Sequence, residues 1–220
     1  MAPRGAPESR AVRQAPGEPG ARIGVFGGTF DPPHVGHLWL ATAAADAMGL
    51  DRVLVMPAAQ PPHKGDRLVT RVADRMLLTR LAIQGDPLFA LSGLEMERPG
   101  PSYTLDSVLE LKRLHPDDEL WLVMAADSLD QIDTWHEPDR LLDEIEWIVG
   151  PRPGFDPPDL DQLRERFGDR ASRIHLITGP SLAVSSSEIR RRVAAGEAIR
   201  YLVPRDVEEL IIERGLYRRG

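Results

Sequence analysis

Gly27-Gly28-Thr29-Phe30-Asp31-Pro32-Pro33-His34-Val35-Gly36-His37 follows a short apolar run, and a long stretch that reads as an amphipathic helix follows it in turn. Strand, glycine turn and helix in that order suit phosphate binding. Glycines let the backbone approach a ligand closely, and the start of a helix offers unpaired N–H groups to an anion. His34 and His37 are three apart, so on the first helical turn they share one face and can touch one phosphate group. Gly36 between them keeps that face open. Each feature alone has a bland explanation, since a Gly-Gly pair usually only turns the chain and a lone histidine is usually not a ligand. Together, behind a first strand, they favour a phosphate site. Neither GxGxxG nor GxxxxGK[ST] is present.

A second stretch, Ser185-Ser186-Ser187-Glu188-Ile189-Arg190-Arg191-Arg192, follows the apolar run RIHLIT. Serines opening a helix cap it, and Glu188 is placed for a capping box, which alone accounts for the sequence. The functional alternative adds hydroxyls, free N–H groups and an arginine one turn inside the helix, a set suited to a triphosphate. The first motif tips the balance, because two anion sites at strand ends suggest one nucleotide bridging them.

Both stretches must be positioned by a scaffold, and the pattern between them supplies one. Six strand-like runs (RIGVFGG, DRVLVMP, LFALSGLEM, ELWLVMA, EIEWIVG and RIHLIT) alternate with helix-like runs. Alternation of this kind predicts crossover connections and a doubly wound α/β domain with a mainly parallel, Rossmann-like sheet. In such sheets ligands bind beyond the carboxyl ends of the strands. Residues 1–21, rich in Pro, Gly, Ala and charge without periodicity, are expected to be a disordered tail, and residues 22–220 a single domain. A closing helix is expected after Pro204, with Asp206 as its N-cap. Trp39, Trp121 and Trp147 lie in apolar runs and are expected in the core.

A net charge of −7 with both signs interspersed argues against broad contact with nucleic acid or anionic lipid. The absence of cysteine removes disulfides, thiolate zinc sites and thiol nucleophiles. The start lacks a secretory apolar region, and no run is long enough to span a bilayer, so a soluble cytoplasmic protein is expected. Of 27 basic residues 25 are arginine, the exceptions being Lys64 and Lys112.

On these residues the chain resembles the nucleotidyltransferase superfamily with the HxGH signature, and more narrowly the bacterial nicotinate-mononucleotide adenylyltransferases. The likeness runs from about Arg22 to about Tyr217. Its anchors are GGTFDPPHVGH, QPPHK ending at Lys64, ERPGPSYTLDS, AAD at Ala125 to Asp127 with Trp135 downstream, SSSEIR, and YLVP with the last helix. The HxGH signature specifies nucleotidyl transfer, and PPHK with SYT and the Trp narrows the acceptor. The resemblance implies an ATP site of Gly27, Gly28, Thr29, Phe30, His34, His37, Ser185, Ser186 and Arg190. It also implies a mononucleotide site of Lys64, Tyr103, Thr104, Asp127 and Trp135. Backbone amides of SYT would meet the pyridine carboxylate, the indole would stack on the ring, and Asp127 would lie near the ribose. His34, His37, Lys64 and Arg190 would serve the transfer itself. Ala125 and Ser187 depart from the family, which commonly has Gly and Thr at these positions.

The implied reaction is attack of a nicotinate mononucleotide phosphate on the α-phosphorus of ATP, giving deamido-NAD and pyrophosphate, a step of NAD biosynthesis. A phosphate monoester with a second pKa of about 6 is mostly a dianion at neutral pH and needs no general base. Magnesium is expected to travel with ATP, keeping several waters, and no protein metal ligand is assigned. Neither nucleic acid nor membrane is an expected partner, and self-association is left open. Two other readings stand beside this one. Another HxGH enzyme would use phosphopantetheine or nicotinamide mononucleotide as acceptor, and a sensor would bind nucleotide without turnover.

Overall fold

A computed structural model describes residues 20–61, 69–155 and 158–218. Six strands form one sheet: β1 (Arg22–Gly28), β2 (Arg52–Pro57), β3 (Phe89–Leu91), β4 (Glu119–Ala125), β5 (Glu146–Gly150) and β6 (Ile174–Leu176). Their order is β3-β2-β1-β4-β5-β6, and every pairing is parallel. The expected doubly wound α/β architecture is thus present. Strand order reverses between β1 and β4, where Val25 stands opposite both Leu54 and Leu122. A crevice opens beyond the carboxyl ends at such a switch point.

Alternation along the strands sorts their side chains onto two faces. Ile23 and Val25 of β1, Leu54 and Met56 of β2, Leu120, Leu122 and Met124 of β4, and Trp147 and Val149 of β5 share one core cluster. Against it pack α4 (Thr104–Leu114), α6 (Pro138–Glu144) and α7 (Leu160–Phe167) through Leu105, Val108, Leu141 and Leu163. Phe26, Val53, Val55, Trp121, Val123 and Ile148 point the other way, onto α1 (Val35–Met48). Burying a Leu or Val fully is worth roughly 1.5–3 kcal/mol, so both faces stabilise the sheet. Helix α1 sits close because its contact residues include Ala41, Ala44 and Ala45. Where it crosses β5 the sheet carries Gly150, at which a Cβ would come within 2.2 Å of Leu40 Cδ1. This close seat fixes where the start of α1, and with it both histidines, meets the strand ends.

A third cluster joins α2 (Val72–Ile83), α8 (Ser186–Ala194) and α9 (Arg205–Glu213) through Leu78, Val184, Ile189, Val207, Leu210 and Ile211. It docks the C-terminal helices beside the start of α1. Three local expectations need correction. The run LFALSGLEM is not one strand: β3 ends at Leu91, and after Ser92-Gly93 the chain forms the short helix α3 (Leu94–Glu97). Helix α9 begins at Arg205 with extended Pro204 as its cap, so Asp206 lies inside the first turn, where its charge still favours the helix dipole. Trp121 and Trp147 are core residues, but Trp39 is half-buried. Ala21 is buried and its N–H donates to Asp118 Oδ1 at 3.0 Å; residues 1–19 lie outside the described residues. Among the described residues no helix is long and apolar enough to cross a membrane.

Candidate active site

A cleft of about 460 Å³ lies at the switch point, beyond the ends of β1, β4, β5 and β6. Gly27, Gly28, Thr29, Phe30, His34, His37, Tyr103, Thr104, Asp127, Trp135 and Ser186 all line it. Residues separated by up to 159 positions in sequence therefore share one cavity. Ser185 and Arg190 do not share that wall. Ser185 caps α8, its hydroxyl accepting the Glu188 N–H at 3.2 Å, and Arg190 lies behind the loop. Lys64 lies outside the described residues.

His34 ends the extended loop as the N-cap of α1, and His37 sits one turn in. Their rings stack at 3.6 Å with 20° between planes. The His34 backbone N–H donates to His37 Nδ1 at 3.2 Å, so a neutral His37 ring carries its proton on Nε2. Burial holds His34 down to about 4, with the Arg152 charge adding to the effect. His37 is likewise held well below 6.5, by burial first and then by the His34 and Arg152 charges. Both rings are neutral at neutral pH, ready to donate one N–H each. Gly36 is needed for packing as well as access: a Cβ there would lie 2.9 Å from Val184 and 3.1 Å from the His34 ring.

The two sequence motifs touch directly. Ser186 Oγ donates to the Pro32 carbonyl at 2.8 Å, and Arg190 Nη1 donates to the Asp31 carbonyl at 2.6 Å. Helix α8 thus presents its start to the GGTFDPPH loop. The expected capping box is half made, since the Glu188 carboxylate pairs instead with Arg191 at 2.7 Å. Arg190 also donates to Ser187 Oγ at 3.2 Å. Its guanidinium is already engaged by the loop, so it braces that loop rather than standing open in the cleft.

Across the cleft, Tyr103 precedes α4 and Thr104 begins it. Their loop is tied to the segment after β2 by a reciprocal pair: Ser102 N–H donates to the Gln60 carbonyl at 3.0 Å, and Gln60 N–H to Ser102 Oγ at 3.1 Å. Trp135 is half-buried against the core, and the exposed His136 ring stacks on Tyr103 at 4.2 Å. Asp127, in the short helix α5 (Ala126–Asp130), pairs with Arg152 at 3.1 Å.

Several lining residues lay outside the sequence expectation. Arg152 sits in the Pro-rich segment after β5, legible only as a connection, yet it supplies the charge that acts on both histidines. Trp39 lines the cleft, its indole N–H donating to the Pro180 carbonyl at 2.8 Å. Its apolar neighbours hid it. His136 follows a named tryptophan, so position in the chain could have suggested it. Among the described residues, no group of three or more His, Asp or Glu is placed to hold a metal ion.

The chain is similar to known proteins in both sequence and fold. A family model described as Cytidylyltransferase-like matches residues 25–192. A probable nicotinate-nucleotide adenylyltransferase of Thermomicrobium roseum is 46% identical over 198 residues, covering 90% of this chain and 92% of that relative. One from Desulfitobacterium hafniense is 42% identical over 201 residues, covering 91% and 97%. Among solved structures, Plasmodium falciparum nicotinic acid mononucleotide adenylyltransferase complexed with NaAD superposes with a TM-score of 0.74 at 23% identity, over 90% of this chain and 97% of that one. The same enzyme complexed with APC gives 0.72 at 21% identity over equal shares.

Proposed function

We propose a reaction from one premise: the chain belongs to the cytidylyltransferase-like family, and within it to the nicotinate-nucleotide adenylyltransferases. It transfers the adenylyl group of ATP to nicotinate mononucleotide in NAD biosynthesis. The acceptor phosphate oxygen forms a bond to the α-phosphorus, the α–β bridging bond breaks, and pyrophosphate leaves with the electron pair, giving deamido-NAD. The observation that carries this reading is the single cleft lined at once by His37 and Ser186 on one side and by Tyr103, Thr104 and Trp135 on the other.

Positioning and charge neutralisation do most of the work in such a transfer. On this reading the triphosphate lies between the histidines and the start of α8, with magnesium entering as part of the ATP substrate. His37 donates from Nε2 to an α-phosphate oxygen, where negative charge builds as the bonds exchange. Arg152 lies close enough to both histidines to place positive charge near the reacting phosphates. The start of α4 offers unpaired N–H groups for the pyridine carboxylate, and Trp135 stacks on its ring. Asp127, already held by Arg152, is set near the ribose. Lys64 is kept as a phosphate contact and Arg190 as a brace of the ATP loop. The setting is the cytoplasm and the partners are free nucleotides.

The test is incubation of the purified chain with magnesium ATP and one acceptor at a time: nicotinate mononucleotide, nicotinamide mononucleotide or phosphopantetheine. Deamido-NAD and pyrophosphate should appear in equal amounts with the first, faster than product with either of the others. Preference for another acceptor, or binding of ATP without pyrophosphate from any of them, would replace the proposal.

A further inference from the structure

Beneath the phosphate loop lies a group of buried polar residues that the transfer chemistry leaves unused. Asp31 is 4% exposed and Arg75 only 1%. The Asp31 carboxylate accepts the Tyr217 hydroxyl at 2.8 Å on one oxygen and the Thr70 N–H at 3.2 Å on the other. Arg75 donates to three carbonyls: Thr29 at 2.9 Å, Thr70 at 3.0 Å and Ala59 at 3.3 Å. Above them Arg190 takes the Asp31 carbonyl. The loop that carries Thr29 and Phe30 is therefore fixed from beneath by residues drawn from α2, α8 and the C-terminal segment.

Backbone conformation points the same way. Phe30 has φ of 48° and Tyr217 φ of 64°, both left-handed, a region that costs a residue with a side chain on the order of 1–3 kcal/mol unless its surroundings hold it there. Phe30 is held by its buried ring, 5.4 Å from Phe26 and 5.0 Å from His37. Tyr217 packs on the third cluster, whose helix α9 is also joined to α2 by an Arg214–Asp74 ion pair. Such a turn would let the ring reach back across 186 residues of sequence to the loop.

We infer that Tyr217 is a positioning residue for ATP: through Asp31 it sets the shape of the Thr29–Phe30–Asp31 turn, and so where His37 and the start of α8 meet the triphosphate. The inference rests on the reading that this loop holds ATP. Asp31 bears the charge that offsets buried Arg75, foremost of the groups acting on it, while the tyrosine hydroxyl, buried beside that carboxylate, keeps its proton and donates. Removing that hydroxyl leaves the carboxylate one donor short while the ring still packs, so the loss falls on loop geometry.

The experiment compares Tyr217→Phe with wild type by calorimetric titration of ATP and by steady-state kinetics in both substrates. Leu163→Ala, in the α7 core far from the loop in sequence, serves as a variant destabilised without touching the network. Tyr217→Phe should weaken ATP binding and lower kcat/KM for ATP by roughly tenfold, the worth of one buried hydrogen bond to a charged group, with KM for nicotinate mononucleotide unchanged. Leu163→Ala should lower the melting temperature and leave the ATP dissociation constant where it was. ATP affinity equal to wild type in Tyr217→Phe overturns the inference, as does a loss shared equally by both substrates. If wild type binds ATP but turns over no acceptor, the proposed reaction fails while the ATP comparison still decides the role of Tyr217.

Discussion

On one side of the cleft, Asp31, Arg75, Arg190 and Tyr217 hold the phosphate loop by hydrogen bonds from three directions, whereas on the other the stacked rings of Tyr103 and His136 meet near the surface. The first side is built from buried Asp31 and Arg75 and half-buried Arg190 and Tyr217, each partnered, and such groups fix a geometry because an alternative leaves one unpaired. The second relies on ring faces, which accept small changes of tilt at little cost. The contrast teaches where substrate tolerance should reside. On the proposed reading, triphosphate geometry is set by the fold, and acceptor choice by a few side chains on turns.

The sharpest way to break this contrast is His37→Ala. It should lower kcat by about 100- to 1,000-fold, as loss of a donor to developing charge does, with the circular dichroism spectrum unchanged. Turnover near wild type would remove His37 from the chemistry.

Acid should expose the cost of the same construction. His34 titrates at about 4 in the fold against 6.5 in the unfolded chain, and His37 also well below 6.5. The unfolded state therefore takes up protons first as pH falls. Stability is complete above about 6.5 and is lost on the way down to about 4, by on the order of 3 kcal/mol from His34. Denaturant titrations across that range measure it. Arg152→Ala should shrink the loss, because the charge that helps depress both histidines is gone; an unchanged profile would take Arg152 out of that role.

Trp135→Ala tests the opposite wall. It should weaken acceptor binding by roughly ten- to a hundredfold, on the scale of ring stacking, and leave ATP affinity alone. A matching loss for ATP would mean the two sides are not separable. The smallest effect is expected from His136→Ala, which frees the face of Tyr103 and should raise KM for the acceptor roughly threefold, seen in steady-state kinetics. An effect as large as that of Trp135→Ala would make His136 part of the binding wall.

Legibility in the sequence divided along the same lines. Strand alternation and the glycine turn placed Gly27 to His37 at the end of β1, because period and turn chemistry are local. Serines opening a helix marked α8 for the same reason, and the SYT segment and Trp135 were reached through a resemblance. Asp31 stood inside a quoted motif without a role, and Arg75 and Tyr217 looked like ordinary members of two helices. Their meaning comes from contacts spanning 46 and 186 positions, which no window of sequence displays. Arg152 was hidden likewise, its partner Asp127 lying one strand away. Arg190 was expected to face the triphosphate, and its engagement with the Asp31 carbonyl depends on how α8 docks, a tertiary matter.

One triphosphate is proposed to span the histidine pair and the start of α8. A crystal structure of the chain with magnesium and a non-hydrolysable ATP analogue tests it most directly. Phosphate oxygens should lie within hydrogen-bond distance of both His37 Nε2 and the Ser186 end of α8. Phosphates bound away from α8, with its first turn facing only solvent, would contradict it.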